Sequence, residues 1–465
     1  MEQILSGIIE ELKDKSSLID IEKELFILVM TLVCIGLGAY LTHWDDELFQ
    51  EAEVKCLRKD QRTLNSLFGA VTFTRRLVEK ADGNHAYLLD EKLGLTKRQR
   101  YSPLVLARVS SLAAKAPYRT IATAIRILTP FTVSHQMIAK FVKHTGKALD
   151  EVKTAEADFP EEAPERRQVP VLYLEGDAFE IRLKRGQRQM VHRFQVFEGV
   201  AYHGKRHSLI NRHQVALSNR HQAMREFTAY LANHYDLRKT LVITSSDNGS
   251  GYESEVFGEL AVGAERHVHI LDRYHMSRKI KERLPDQPDM AKRLRTALYH
   301  GDYQKMEMIL DTAESRIVAN DEASYQEAVS AVAKLRRYLE RNWDYIAPLS
   351  DPSLQGQLSG LGSCESNHRK FTYRLKHQGK SWSQAGLDGM LRIITADQNG
   401  DYETSLIQAG LLDHKLQTKP MKSKPIGTLG LFKQTPTAHV GVKQGRISLD
   451  DSSSSAMGHL VRILR

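Results

Sequence analysis

Hydrophobic and polar positions divide the chain into a helical first part and a β-rich second part. Residues 1–60 carry apolar positions at helical spacing, and a short alternating segment, Leu67 to Leu77, precedes a basic helical stretch that ends near residue 150. From Gln168 to about His275, short β-branched runs alternate with amphipathic segments. The pattern predicts an α/β domain preceded by a mainly α region.

The same pattern predicts further borders along the chain. The α/β domain covers residues 168–400, with a long, charged helical insertion at about 276–345 followed by a glycine-serine loop and another helix. Acidic and proline-containing residues at 151–167 predict a linker after the basic helical region 61–150. Residues 401–465 have little periodicity and predict a largely disordered tail. Strands are expected at 169–174, 178–183, 193–202, 240–244 and 267–271, and helices at 221–235 and 252–261.

An uncharged run of 18 residues, Leu25 to Thr42, is just long enough to be a candidate membrane span. Acidic residues flank it on both sides, no basic cluster sets an orientation, and it begins too late for a signal peptide. We therefore expect a buried helix, packed within this chain or against a second subunit, and no membrane insertion. Three cysteines without paired spacing agree with a reducing, cytoplasmic setting.

Net charge points to a polyanionic partner. The chain carries +9, and the segment from Lys97 to Leu149 contains no acidic residue. Within it, Tyr118 to Leu128 and a second helix, capped by Thr132 or Ser134 and running through Lys147, outline a helix-turn-helix. A plain helical hairpin has the same outline. If the segment binds DNA, base contacts are expected from His135 and Gln136, and phosphate contacts from Lys140 and Lys143.

Three acids stand where strands or helices begin or end. Asp247, in SSDNGSGY, follows the buried run Leu241–Thr244, although Asp-Asn-Gly is also common turn chemistry. Asp177 closes or interrupts the first strand, where Glu175 competes for the same role, and Glu365 begins a late helix whose dipole it also suits. Carboxylates in such positions can hold two Mg²⁺ or Mn²⁺ ions for phosphoryl transfer. We predict Asp177, Asp247 and Glu365 as catalytic metal ligands.

The order of these acids and the sequences around them resemble the DDE transposases of bacterial insertion sequences, in particular the ISLre-type group, which is related to Mutator-like transposases. The resemblance covers about residues 60–400. It rests on FGAVTFTRRL, YLLDEKLGL, VLYLEGDAFEIRL, SSDNGSGY, ILDRYHMSRKI and CESNHRKFTYRLKHQGKSWSQAG. It implies a ribonuclease H-like catalytic domain, with acids on the first strand, after the fourth strand and on a late helix. The implied activity is DNA strand cleavage and strand transfer at the ends of an insertion sequence, by a homo-oligomer bound to double-stranded DNA.

Auxiliary residues follow from the same resemblance. Asp272 and His275 match an aspartate-x-x-histidine element, although Asp272 is also a suitable cap for a helix that starts at Tyr274 or His275. Arg374 is in a matching place in the glutamate segment. One departure is that many DDE enzymes carry a basic residue seven positions after the glutamate, where this chain has Thr372.

Other function classes fit parts of the sequence. A different ribonuclease H-like nuclease needs the same acids, and a non-catalytic DNA-binding protein derived from a transposase needs none of them. A glycosidase also uses paired carboxylates. It is disfavoured because none of the three tryptophans lies beside Asp177 or Asp247 to form a sugar platform.

Overall fold

The structure, a computed structural model, describes residues 7, 10, 12, 13, 17–159, 165–204, 206–358, 361–376 and 380–412, except for the side chains of Arg206, Cys364, Glu365 and Ser366. The chain divides into two compact units. The first comprises Met1–Val109, Arg119–His135 and Gly410–Arg465, and the second comprises Ser110–Tyr118 and Gln136–Ala409. The division passes through the region 61–150, so the borders expected at residues 60 and 150 do not match it.

The first unit is built on a three-stranded antiparallel sheet of order β1-β2-β3. Its core consists of buried apolar side chains from the long first helix, the hairpin β1-β2 and the short helix that follows β3. The elements are α1 (Leu18–Glu51), β1 (Lys55–Ser66), β2 (Gly69–Glu79), β3 (His85–Tyr87), α2 (Leu88–Lys92), the start of α3 (Pro103–Lys115) and most of α4 (Tyr118–Leu128). Strand β1 begins at residue 55, inside the region 1–60 that was expected to be helical.

The carboxyl-terminal half of α1 packs on the hairpin. Gly38 lies so close to β2 that a Cβ atom there would be 2.3 Å from the Thr72 carbonyl oxygen. One turn later, the Thr42 hydroxyl accepts a hydrogen bond from the Thr74 N–H at 3.0 Å. The buried carboxylate of Asp45 accepts from the Arg76 guanidinium at 2.8 Å. These contacts fix residues 38–45 of α1 against polar strand positions.

The amino-terminal half of α1 is exposed, which corrects the expectation of a helix buried within this chain. The apolar side chains of Phe26, Ile27 and Val33 are 39%, 56% and 38% exposed. By length and composition alone, α1 could cross a membrane. Packing against a second subunit, the other expected arrangement, stays a prediction.

The second unit contains a five-stranded sheet of order β8-β5-β4-β9-β10. Strand β5 is antiparallel to both of its neighbours, β4 and β8, whereas β4, β9 and β10 run parallel to one another. The strands are β4 (Val171–Arg182), β5 (Arg188–Phe197), β8 (His213–Leu217), β9 (Leu241–Ser246) and β10 (Arg266–Leu271). A separate hairpin is formed by β6 (Gly199–His203) and β7 (Arg206–Ile210).

Helices cover both faces of this sheet. One face packs on α6 and α7 through a large aromatic and aliphatic core, and the other carries a smaller core that includes Leu354 and Leu361. The insertion between β10 and the late helix has its own apolar core. The helices are α5 (His135–Asp158), α6 (Arg220–His234), α7 (Ser254–Leu260), α8 (Arg273–Arg283), α9 (Pro288–Tyr299), α10 (Tyr303–Ser315), α11 (Glu322–Arg341), α12 (Trp343–Ile346), α13 (Ser363–Leu375), α14 (Gln384–Asn399) and α15 (Tyr402–Gln408).

Several expected borders are corrected. Residues 151–158 belong to α5, because the acids of the expected linker lie on a continuing helix; residues 160–164 lie outside the described part. The expected tail begins with a helix, α15, and residues 413–465 lie outside the described part. Strand β4 runs without a break through Asp177 to Arg182, so it joins the two strand segments expected at 169–174 and 178–183.

Candidate active site

Strand register brings three acids together at one edge of the sheet. In the parallel pair β4-β9, Glu175 is opposite Ser245, so Asp177 and Asp247 each lie two residues further along. Asp272 follows β10 directly, and its N–H donates to the Ser246 carbonyl at 2.7 Å. Neighbouring strands are about 4.8 Å apart, and a spacing of two residues keeps side chains on one face. Asp177, Asp247 and Asp272, here called the acid cluster, are therefore neighbours.

Asp177 lies on β4 with only 13% of its side chain exposed. One carboxylate oxygen accepts from the Ala178 N–H at 2.7 Å, and the other lies 3.6 Å from Nδ1 of His368. Burial raises the pKa of Asp177 to about 7, and the negative charges of Asp247 and Asp272 act in the same direction, although His275 opposes them. A cation bound beside Asp177 would therefore lower the pKa of this carboxyl group and favour its ionised form.

The turn after β9 fixes Asp247. Its Oδ1 accepts from the Gly249 N–H at 3.0 Å, and Asn248 has a positive φ of 53°, a conformation that asparagine tolerates well. The Asn248 side chain donates to Oδ1 of Asn342, a buried residue, at 2.7 Å. The segment is therefore the tight turn that its sequence suggests, and it also fixes the position of the Asp247 carboxylate. The link to Asn342 ties this turn to the end of the helical insertion.

Asp272 caps a helix, as its sequence allowed, and its functional role stays a prediction. It caps α8, which begins at Arg273, by accepting from the His275 N–H at 2.9 Å. Burial acts to raise the pKa of Asp272, but interactions with His275 lower it overall. The His275 ring nitrogen Nδ1 lies 3.4 Å from Asp272, and this contact, with the charges of Asp177 and Asp247, raises the histidine pKa against the effect of burial. Asp272 and His275 thus lie at the acid cluster.

Glu175 anchors the helix that carries Glu365. It is 1% exposed, and its Oε1 accepts from the N–H groups of Gly362 and Ser363 at 2.6 and 3.2 Å. Its Oε2 accepts from the Ser363 hydroxyl at 2.7 Å and from the Gln195 amide at 2.5 Å. Burial raises the pKa of Glu175 despite these bonds. Glu175 thus supports the start of α13, and the choice of Asp177 as the catalytic acid of this strand stays a prediction.

Glu365 is the third residue of α13, and its side chain lies outside the described part of the chain. The helix itself lies on the face of the sheet where Asp177 is, because His368 contacts Asp177 and packs at 4.9 Å from the Phe179 ring. Sequence reasoning missed His368 as a site residue, although it lies in the glutamate segment. Its helical spacing of three from Glu365 was the available signal.

Arg374 does not have the predicted auxiliary role. Its Nε donates to the Ala113 carbonyl at 2.5 Å, and its guanidinium lies over the rings of Tyr118 and Trp382 at 5.1 and 5.0 Å. Only 4% of the residue is exposed, and burial lowers its pKa. The structure gives Arg374 a packing role, because aromatic rings and a backbone acceptor already occupy its guanidinium.

Comparison with known proteins places the chain in a family. The family model described as "Uncharacterised protein family (UPF0236)" matches residues 12–406. The chain belongs to the UPF0236 family. It is 33% identical over 406 residues to the UPF0236 protein in vanSb 3' region of Streptococcus gallolyticus, covering 86% of this chain and 87% of that protein. Two UPF0236 proteins of Caldanaerobacter subterraneus subsp. tengcongensis are 22% and 21% identical over 352 residues, 74% of this chain and 69% of each relative; their names combine four and eleven loci.

The predicted DNA-contacting residues of this UPF0236 chain are all exposed. His135 and Gln136 begin α5, and Lys140 and Lys143 follow on its surface. The two expected helices are present as α4 and α5, but the second continues to Asp158 instead of ending near residue 147. The four side chains are thus accessible to a partner, and their contact with DNA stays a prediction.

The metal chemistry of the site can be judged from its donors. Among the described side chains of the UPF0236 chain, no group of three histidine, cysteine or carboxylate residues is arranged to hold a metal ion. Of the predicted ligand set, only Asp177 and Asp247 fall within the described side chains. Both offer the oxygen donors that Mg²⁺ prefers, and the raised pKa of Asp177 indicates a charge deficit that a cation would relieve. Asp177 and Asp247 therefore offer donors that suit Mg²⁺, and a magnesium site formed by them with Glu365 stays a prediction.

Proposed function

We propose that the chain is a DDE-type transposase that cleaves and transfers DNA strands in a metal-dependent reaction. The observation that carries the proposal is the convergence of Asp177, within β4, and Asp247, directly after the adjacent β9, on the face against which the Glu365-bearing helix is anchored. These three acids are far apart in the sequence. Their approach is required if they share metal ions, which lie about 3.5–4 Å apart in two-metal sites.

We also propose a ribonuclease H-like fold for the second unit. Counted along the chain, the five strands of its sheet are β4, β5, β8, β9 and β10. Asp177 lies on the first of them, Asp247 directly follows the fourth, and Glu365 lies on a late helix. This arrangement agrees with the order of acids that the resemblance implies, and the insertion occupies the interval before the late helix.

The proposed chemistry divides between ion and protein. Two bound Mg²⁺ or Mn²⁺ ions would activate the attacking water or 3′-hydroxyl and stabilise the leaving oxygen. Asp177, Asp247 and Glu365 hold the anionic charge that binds them. Asp272 keeps His275 beside the acids and orients its ring. His368 and the Ala178 N–H hold the Asp177 carboxylate in place.

The names of the relatives support a mobile element. One UPF0236 relative carries a name that combines eleven loci, and another combines four. A protein encoded at many loci of one genome is what a replicating insertion sequence leaves behind. We therefore propose that this chain also belongs to an insertion sequence.

We propose a cytoplasmic homo-oligomer that acts on double-stranded DNA. The net charge of +9 and the exposed basic residues of α5 support a DNA partner. The exposed apolar side chains of α1 include those of Phe26, Ile27 and Val33. Pairing with the same helix of a second copy would cover these side chains.

The experiment uses the gene in its own surroundings. Purified protein is incubated with Mg²⁺ and a DNA fragment that contains the coding region and its genomic flanks, and new 3′ ends are mapped at single-nucleotide resolution. We expect cuts at the two borders of a repeated element and joining of these ends to a target plasmid. Cuts scattered along the fragment without joining would favour another ribonuclease H-like nuclease. Binding without any cut would favour the non-catalytic alternative.

A further inference from the structure

The helical insertion carries a line of basic side chains that begins at the acid cluster. His275, Lys279 and Arg283 follow one another at intervals of four residues on α8, which places them on one face of the helix. At a rise of 1.5 Å per residue, the line extends about 12 Å from its first to its last member. The charge of Asp247 acts on both His275 and Lys279, so the line starts beside this acid.

Helix α11 contributes a tyrosine to the start of this line. The Lys279 ammonium lies 4.0 Å from the centre of the Tyr338 ring. Tyr338 is 9% exposed, and its buried hydroxyl has no hydrogen-bond partner within the described part of the chain. Burial raises the tyrosine pKa, and the charges of Asp247 and Asp272 add to that effect, so the ring lies near the acids. Buried hydroxyl groups are nearly always paired, so the Tyr338 hydroxyl is able to donate to an external acceptor.

His275, the first member of the line, contacts Asp272 at 3.4 Å, whereas the cationic side chains beyond it have no such contact in the described part of the chain. Lys279, Arg283 and the nearby Arg341 of α11 form no ion pair with a carboxylate among the described residues. A buried guanidinium nitrogen of Arg283 also has no hydrogen-bond partner there. The outer face of α8 differs, because Arg278 pairs with Glu282 at 2.7 Å. The charges on the inner face are therefore available to an external anion.

We propose that Tyr338, Lys279, Arg283 and Arg341 hold the sugar-phosphate backbone of one DNA strand as it leaves the acid cluster along α8. The proposal rests on the proposed function and adds a role for the insertion. A length of about 12 Å covers three to four successive phosphates of one B-form strand, at 3.4 Å per phosphate along the axis. The Tyr338 hydroxyl donates to the phosphate oxygen nearest the acids, and the basic side chains contact the phosphates that follow.

The first test measures binding without catalysis. A labelled oligothymidylate of about 20 nucleotides is titrated with the full-length protein in EDTA over a salt series, and affinity is plotted against salt on logarithmic axes. Lys279→Ala/Arg283→Ala is compared with Arg278→Ala/Lys281→Ala, which removes the same charge from the exposed face of the same helix. Loss of two phosphate contacts should make the slope shallower by about 1.4 in the inner-face variant and leave it unchanged in the outer-face variant. Equal slopes in the two variants would overturn the proposal, and so would an unchanged inner-face slope.

The second test separates binding from packing at Tyr338. Tyr338→Phe removes only the unpaired hydroxyl, so the melting temperature should stay the same or rise while oligonucleotide affinity falls several-fold. A lower melting temperature with unchanged affinity would show a structural role and overturn the assignment. Because both tests omit metal, they do not depend on cleavage. If the wild type proves inactive on DNA but these variants behave as expected, the proposed function fails and the strand path stands.

Discussion

Replacing Asp177 by asparagine should make the metal-free protein more stable at neutral pH. In the folded protein, burial and the neighbouring acids raise the pKa of this carboxyl to about 7. Asparagine has nearly the same shape and keeps an oxygen to accept the Ala178 N–H bond, which is 2.7 Å long in the wild type. The substitution removes a charge that the fold accommodates poorly and leaves the surrounding contacts in place.

The magnitude follows from linkage. An aspartate in the unfolded chain has a pKa of about 3.9, and each pKa unit is worth about 1.4 kcal/mol, so a rise to about 7 corresponds to roughly 4 kcal/mol. Because the side chain keeps 13% of its exposure, we expect about 2–4 kcal/mol. Between pH 4 and 7 the folded state binds more protons than the unfolded state, so wild-type stability should fall as the pH rises through this window. The asparagine variant lacks that contribution.

Urea unfolding in EDTA at several pH values provides the assay. We expect the variant and the wild type to differ little below pH 4, and the variant to gain its full advantage near pH 8. Glu180→Gln, an exposed change on the same strand, should show no such gain. Added Mg²⁺ should stabilise the wild type more than Asp177→Asn, because ligands that bind only the folded state add stability. A variant that is less stable than the wild type at pH 8 would refute the reasoning.

Three further predictions concern the helix anchor, the exposed helix and the basic region. Glu175→Gln should slow DNA cleavage and lower the free energy of unfolding by about 2 kcal/mol, because an amide replaces a carboxylate that accepts from Ser363. A cleavage assay measures the first effect and chemical unfolding measures the second. Ile27→Glu should shift the protein to smaller species in analytical ultracentrifugation, because it places a charge in the apolar surface of α1. Lys140→Ala/Lys143→Ala should make the salt dependence of duplex binding shallower by roughly one to two units on logarithmic axes.

Matched controls accompany these changes. Glu180→Gln should leave both cleavage and stability near the wild type, and an equal loss in this variant would contradict the anchoring role of Glu175. Ile127→Glu changes another exposed apolar residue and should leave the assembly state unaltered. Lys292→Ala/Arg293→Ala removes two exposed charges elsewhere, and a slope as shallow as that of the α5 variant would show a general charge effect.

Local patterns were sufficient to predict much of the second unit. The β-branched run at 241–246 and the charged helices after residue 272 are as expected, because their periodicity is strong. Strand β8, His213–Leu217, was missed because a five-residue strand at the sheet edge has little periodicity. Residues 151–158 were assigned to a linker because acids at exposed positions of a continuing helix resemble a polar connection.

The strand pattern was sufficient to predict that Asp177 and Asp247 lie close together, but contacts made by tertiary packing could not be predicted. The positions of Asp177 and Asp247 follow from the strand pattern, whereas the contacts of Glu175 depend on a helix that begins 188 residues later. Arg374 matched a motif, but a motif does not show that Tyr118 and Trp382 enclose its guanidinium. Tyr338 belongs to an ordinary amphipathic helix, and only the fold brings its ring beside Lys279.

The rate of DNA strand cleavage by Asp247→Asn tests the central claim most directly. Single-turnover cleavage of element-end DNA is measured in Mg²⁺ for the wild type, for Asp247→Asn and for Glu180→Gln, together with the affinity of each for the same DNA. Because the substitution keeps an oxygen to accept the Gly249 N–H but removes one anionic ligand, we expect intact binding and a loss of cleavage of at least about 1,000-fold, or some 4 kcal/mol of transition-state stabilisation. Cleavage by Asp247→Asn at the wild-type rate would contradict the assignment of the acid cluster as the active site.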